Sequence, residues 1–333
     1  MSKRVLGAAL ALALFAAAGI AAAADFQPAV VFDMGGKFDK SFNEGVYNGV
    51  EKFKADTGIA YREFEVTNET QREQALTRMA ARGADPVLSV GFAQAPALEK
   101  VAKEHPKSRF AIIDAVVDLP NVRSIVFKEH EGSFLVGVLA AMASKTGKVG
   151  FVGGMDIPLI RRFACGYVQG VKHARPDAQV FQNMTGTTPT AWNDPTKGGE
   201  LARSQFDRGA DVVYAAAGGT GLGVYQAAAD SGKLAIGVDS NQNHLHPGTM
   251  LTSMLKRVDI AAYKAFMDAK NGDFSAGVQV LGLAEGGVDW ALDEYNRALI
   301  TDAMEAAVEK AKAGIVDGSI KVHDYMADGA CPG

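Results

Sequence analysis

Cysteine is almost missing from this 333-residue chain, which carries only Cys165 and Cys331. Two are too few for the disulfide framework that holds small secreted domains together. Cys165 falls in an apolar helical stretch, where a buried free thiol is the ordinary state. A single bridge to Cys331 is the alternative, and the sequence leaves both open. Positive charge is also short, with 34 Lys and Arg against 38 Asp and Glu, for a net −4. That balance argues against the basic surface that holds nucleic-acid phosphates, so no nucleic-acid partner is expected. After residue 24 no apolar run approaches the ~20 residues of a spanning helix. Catalytic groupings are missing too: there is no Ser/His/Asp set and no nucleophile elbow. His244 and His246 form a His-x-His pair without a third ligand at close spacing, which suits a loop better than a metal. Neither enzyme chemistry, a metal nor a cofactor is expected.

What is present begins with export. Lys3 and Arg4 precede an alanine-rich apolar run ending Ala22-Ala23-Ala24, the three parts of a secretory signal cleaved before Asp25. A membrane anchor is the alternative, because the run is nearly long enough to span, but its small-x-small end fits cleavage better. No cysteine stands near that site, so the expectation is a freely diffusing periplasmic protein, not lipid-anchored, with 1–24 as its signal peptide. Losing Lys3 and Arg4 leaves the mature chain more acidic still.

From Ala29 onward short apolar strands alternate with amphipathic helices. Strands are predicted near PAVVFD, IAYREFEV, DPVLSV, RFAIID and VRSIVF, with helices near 42–55, 69–82 and 96–104. Phe42, Val46, Val50 and Phe53 form one stripe at helical spacing. After the helix GSFLVGVLAAMASKTG a second run follows, with strands KVGFVGG, AQVFQNMTG, DVVYAAAG and KLAIGV. Strands this apolar, alternating with helices, imply parallel sheets covered on both faces. The fold class is therefore α/β, with two doubly wound, Rossmann-like lobes on one cleft, joined by a hinge that the chain crosses several times. The strand GTMLTSML and helix IAAYKAFMDA are expected to return to the first lobe, and VQVLGLAEGGVDWAL reads as a hairpin. The expected division is an N-terminal lobe of 25–130 with 248–275 and a C-terminal lobe of 131–247 with 276–333.

In doubly wound sheets ligands sit at the carboxyl ends of strands, which selects the candidate residues. The first loop supplies Phe38, Asp39, Ser41 and Asn43. Ser41 and Glu44 make a Ser-x-x-Glu capping box, so Ser41 reads first as a helix cap. Phe38, in a glycine-rich loop, has no apolar stripe to join and is either a ligand face or loop packing. Asp114 ends RFAIID and Asp239 ends KLAIGVD; each either caps a turn or accepts hydrogen bonds from a ligand. Trp192 stands in a polar loop before Asp194-Pro195, a helix start, and offers either a stacking face or surface packing. Lys256 closes a very apolar strand, as an interlobe cation near Asp239 or a solvated lysine.

The run Gly218-Gly219-Thr220-Gly221-Leu222-Gly223 with Asp239 downstream looks like a dinucleotide loop, the basis of a rival dehydrogenase reading. Counted from Gly219, however, the third glycine position is Val224. A loop that lets ligand approach backbone N–H groups fits as well.

Taken together, DMGGKFDKSFNEG, FLVGVLAAMASKTGKVGFVGG with the following FACGYVQGV, AWNDPTKGGELA, AAAGGTGLGV, GVDSNQ and SMLKRVD resemble the basic membrane protein family of ABC-transporter substrate-binding proteins, which includes purine nucleoside receptors. The resemblance covers essentially the whole chain after residue 24. It implies a two-lobed type I periplasmic-binding fold, a monomer, a nucleoside ligand and a membrane permease as partner. It also implies a base held between two aromatics, Phe38 and Trp192, the latter where a Phe is common. Asn43 and Asp114 would address the base, and Gly219, Asp239 and Lys256 the ribose. Asp39, Asp114 and Asp239 would together repel a phosphate. A sugar ligand and a sensory role are the nearest alternatives.

Overall fold

The computed structural model describes residues 26–332; the predicted signal peptide lies outside them. Among the described residues twelve strands occur in chain order: β1 Ala29–Phe32, β2 Arg62–Glu65, β3 Val87–Val90, β4 Phe110–Ile113, β5 Val122–Phe127, β6 Lys148–Met155, β7 Gln179–Gly186, β8 Val212–Ala216, β9 Leu234–Asp239, β10 Met250–Lys256, β11 Gly277–Leu281 and β12 Val288–Trp290. The helices are α1 Phe42–Thr57, α2 Gln71–Ala81, α3 Ala95–Glu104, α4 Glu129–Ala143, α5 Pro158–Ala174, α6 Pro195–Asp207, α7 Gly221–Asp230, α8 Val258–Asn271, α9 Asp302–Val316 and α10 Tyr325–Asp328.

The strands form two six-stranded sheets, ordered β11-β5-β4-β3-β1-β2 and β12-β10-β9-β8-β6-β7. The first is parallel throughout, and in the second only β12 runs antiparallel, against β10. Strands such as β1, β3, β4 and β8 are buried at every residue, as expected of parallel strands with helices on both faces. The stripe of α1 turns inward, with Val46, Val50 and Phe53 fully buried, and packs against α8. One apolar cluster runs from this helix pair through both sheets to α4, α5 and α9, while α2 with α3 and α6 with α7 cover the other two faces.

Two expected placements change. The strand Met250–Lys256 pairs with β9 and lies in the second sheet, although the helix after it, α8, does pack on the first lobe. The predicted hairpin 278–292 is no hairpin: β11 pairs with β5 in the first sheet and β12 with β10 in the second. Its glycine turn is a crossing between the lobes. Apolar patterning marks a strand but not its partner, which long-range packing decides. The cysteines are bridged, Cys165 to Cys331 with Cα atoms 5.5 Å apart, so the segment after α9 is tied to α5. Among the described residues no helix is long and apolar enough to cross a membrane.

Candidate functional site

Asp114 follows β4 and Asp239 ends β9, so the carboxyl end of a central strand in each lobe carries an acid. Both have positive φ, 71° and 63°, a left-handed conformation that is uncommon outside glycine and concentrates at functional sites. Between them lies a cavity lined from the first lobe by Asp33, Asp39, Phe42, Asn43 and Asp114, and from the second by Phe163, Trp192, Gly218, Asp239 and Lys256.

Lys256 is the centre of charge. Its Nζ lies 2.7 Å from Asp114 Oδ2 and 2.9 Å from Glu129 Oε1, with side chains 2%, 7% and 1% exposed. The Glu129 contact is close but not aligned as a hydrogen bond. The rings of Phe42, Phe127 and Phe163 surround the ammonium at 5.1–5.5 Å, within cation–π range. Burial pulls the Lys256 pKa down, but Asp114, Glu129 and Asp239 outweigh it and leave it above its ordinary value. Burial pushes Asp114 up, against the pull of Lys256, to about 6, and raises Asp239 as well.

The first loop differs from its capping-box reading. Asp39, not Ser41, caps α1: its carboxylate accepts from the backbone N–H groups of Ser41, Asn43 and Glu44 at 2.8, 3.0 and 3.1 Å. Burial nevertheless raises its pKa to about 7. Ser41 is freed to donate from Oγ to Asp239 Oδ2 at 2.6 Å, across the lobes. Gln242 Nε2 donates to Lys40 O and Ser240 Oγ to Ser41 O, at 2.9 and 2.8 Å, so the loop after β9 clasps the start of α1. Asn43 Nδ2 donates to Gly36 O at 3.2 Å. Its buried Oδ1, like Asp114 Oδ1, has no hydrogen-bond partner among the described residues. Two cavity-lining residues thus each carry a buried acceptor that still lacks a donor.

Six of the eight predicted residues line this cavity: Asp39, Asn43, Asp114, Trp192, Asp239 and Lys256. Phe38 does not. It is 58% exposed and packs edge-on against Tyr47 at 5.2 Å with the Lys37 ammonium over it. The first-lobe aromatics at the cavity are Phe42, four residues on at the N-terminus of α1, and Phe92, after β3. Gly219 is replaced on the wall by Gly218; it lies behind, where a methyl would meet Trp192 O at 3.3 Å. Trp192 is half-buried, not a surface residue. Its indole sits over Gly154, where a Cβ would lie 2.2 Å from the ring. Sequence reasoning missed Asp33, Phe42, Glu129 and Phe163. Asp33 ends PAVVFD and obeyed the strand-end rule, and Phe42 was hidden by its place on an amphipathic stripe. Glu129 and Phe163, within helices, gave no signal.

Two doubly wound lobes closing on a polar, aromatic-lined cavity define a bilobed ligand-binding protein of the type I periplasmic-binding fold. The chain belongs to the family described as ABC transporter substrate-binding protein PnrA-like, whose model matches residues 26–324. It is similar to the CD4+ T-cell-stimulating antigen of Listeria monocytogenes, 36% identical over 90% of this chain and 88% of that one. It is also similar to the ABC transporter nucleoside-binding protein BmpA of Lactococcus lactis, 33% identical over 90% and 89%. A solute-binding protein of an ABC transporter system from Aeropyrum pernix K1 superposes with a TM-score of 0.82, at 30% identity over 89% of this chain and 92% of that one. Membership makes the chain a substrate-binding protein of an ABC transporter, with a small-molecule ligand and a permease partner. It removes the dehydrogenase reading of the glycine loop, which here is a short 3-10 turn leading into α7. The expectation of a protein without a lipid anchor is corrected: a relative in Pyrococcus furiosus, 34% identical over 80% of this chain and 70% of that one, is named a lipoprotein. That expectation rested on residues near the N-terminus, outside those described.

Proposed function

We propose that the protein captures a nucleoside, a purine nucleoside foremost, between its lobes and delivers it as a monomer to the permease. The observation that carries this reading is that both lobes bring aromatics to one cavity, Phe42 and Phe92 from the first and Trp192 and Phe163 from the second, beside two unpartnered buried acceptors; Phe42 and Trp192 are assigned as the stacking pair. Flat heteroaromatic bases stack on such faces, at about 1–3 kcal/mol per base, and carry the N–H donors that Asn43 Oδ1 and Asp114 Oδ1 lack. Asp239 and Lys256 supply an acceptor and a cation for ribose hydroxyls, with the Gly218 backbone beside them. The acids outnumber the single cavity lysine, which disfavours a phosphorylated ligand. The name of the Lactococcus lactis relative points the same way. Two stacking faces and several hydrogen bonds of roughly 1 kcal/mol each reach a micromolar or tighter complex. Mass spectrometry of small molecules released on denaturing freshly purified protein tests the reading: a nucleoside supports it, whereas a sugar or a nucleotide in stoichiometric amount refutes it.

A further inference from the structure

Glu129, the acid beside Lys256, has a second partner on its other side. Arg162 Nη1 donates to Glu129 Oε2 at 3.0 Å and to Phe127 O at 2.8 Å. The rest of the same guanidinium forks onto Asp324, Nε to Oδ1 at 2.7 Å and Nη2 to Oδ2 at 2.6 Å. The charges therefore alternate in one unbroken chain from Asp324 through Arg162, Glu129 and Lys256 to Asp114 on the cavity wall. Asp324 belongs to a strapped segment. The Cys165–Cys331 bridge ties it to α5, and the Gln169 amide both accepts from His323 N at 2.8 Å and donates to His323 O at 3.0 Å. Arg162, Cys165 and Gln169 all stand on α5. That helix is locked onto α4, the bearer of Glu129, at close range: a Cβ on Gly166 would meet His130 O at 2.3 Å.

We propose that the segment 323–331 sets the position of the Lys256 ammonium through Asp324, Arg162 and Glu129, and thereby tunes ligand affinity, with Arg162 and Asp324 as positioning residues. The bidentate fork of Asp324 fixes the plane of the guanidinium and takes up its charge. Glu129 can then share its own charge with Lys256. When Asp324 is lost, the half-buried guanidinium turns wholly to Glu129 and draws that carboxylate from Lys256. The ammonium then falls onto Asp114 alone and engages the carboxylate whose second oxygen is otherwise without a partner. A ligand donor meets an acceptor already occupied, and binding weakens although no cavity residue has changed.

This inference rests on the ligand reading only in that Lys256 and Asp114 face the ligand, and two measurements separate their fates. The first needs no ligand. In protein labelled with 15N-lysine, the Lys256 ammonium resonance, assigned by its loss in Lys256→Met, shifts in Asp324→Asn and in the Cys165→Ala/Cys331→Ser pair. The second is calorimetry with adenosine, guanosine and inosine well below the melting temperature. Both variants weaken binding about five-fold, and Asp324→Asn has no further effect in an Arg162→Met background, although it still lowers the melting temperature there. An unmoved Lys256 resonance, or affinities within two-fold of wild type in both variants, overturns the relay. Failure of wild type to bind any of the three nucleosides overturns the ligand reading instead, and the resonance still decides the relay.

Discussion

Lys256 at the end of β10 and Asp114 after β4 come from different sheets and meet at 2.7 Å with both side chains almost fully buried. The pair is at once a wall of the cavity and a fastening between the lobes. A buried ion pair is costly to assemble and costlier to break on one side. Lys256→Met leaves the buried Asp114 without its cation and Glu129 with Arg162 alone. The variant loses about 3–5 kcal/mol of folding stability, read by chemical denaturation at pH 8, above the raised Asp114 pKa of about 6.

Phe42 and Phe38 give opposite results. Phe42→Ala removes a cavity face and lowers nucleoside affinity by about 1–3 kcal/mol. Phe38→Ala, on a ring that is 58% exposed, leaves affinity within two-fold. Calorimetry on the two variants side by side checks this, and a greater loss in Phe38→Ala would return the stacking role to the loop residue.

Gly154 is the floor beneath the Trp192 indole. Gly154→Ala places a methyl 2.2 Å from the present ring position, so the indole must swing away. Nucleoside affinity falls by an amount close to that of Trp192→Ala, and the two effects do not add, because both remove the same face. A double-mutant cycle reads this coupling directly.

Asp39 makes stability depend on pH in an unusual direction. Burial raises its folded-state pKa to about 7 from 3.8, so between these values the folded protein holds a proton that the unfolded chain has released. Stability from this group is therefore greatest at the acid end of that window and is lost as pH rises toward about 7. Relative to Asp39→Asn, wild type loses on the order of 2 kcal/mol between pH 5 and pH 8. Urea melts of both proteins at the two pH values provide the comparison. A difference that stays constant or changes in the reverse direction contradicts the assigned burial.

The alternation of apolar strands and amphipathic helices made both sheets readable from sequence, because parallel strands buried on both faces leave a strong apolar signature. The strand-end rule likewise found Asp114, Asp239 and Lys256, whose positions follow from topology. Reading failed where partners are chosen over long range. Nothing local tells β10 to join β9, or β11 and β12 to part to different sheets. Ser41 and Glu44 have the spacing of a capping box, yet Asp39 takes the N–H groups because the Ser41 hydroxyl finds a better acceptor in the other lobe. Phe42 obeys the core stripe and serves the cavity as well, since the first turn of α1 faces the cleft. Glu129 sits among apolar helix residues, and only the packed structure shows that its neighbours are Lys256 and Arg162.

Titration calorimetry of the purified protein with a purine nucleoside and its 5′-monophosphate, in one buffer at pH 8, above the raised pKa values of Asp39 and Asp114, tests the central claim most directly. The aromatic pair, the open acceptors and the excess of acids predict micromolar or tighter binding of the nucleoside, with the monophosphate at least ten-fold weaker because its charge meets Asp39, Asp114 and Asp239. Equal or tighter binding of the monophosphate, or no heat with any nucleoside, would contradict the account.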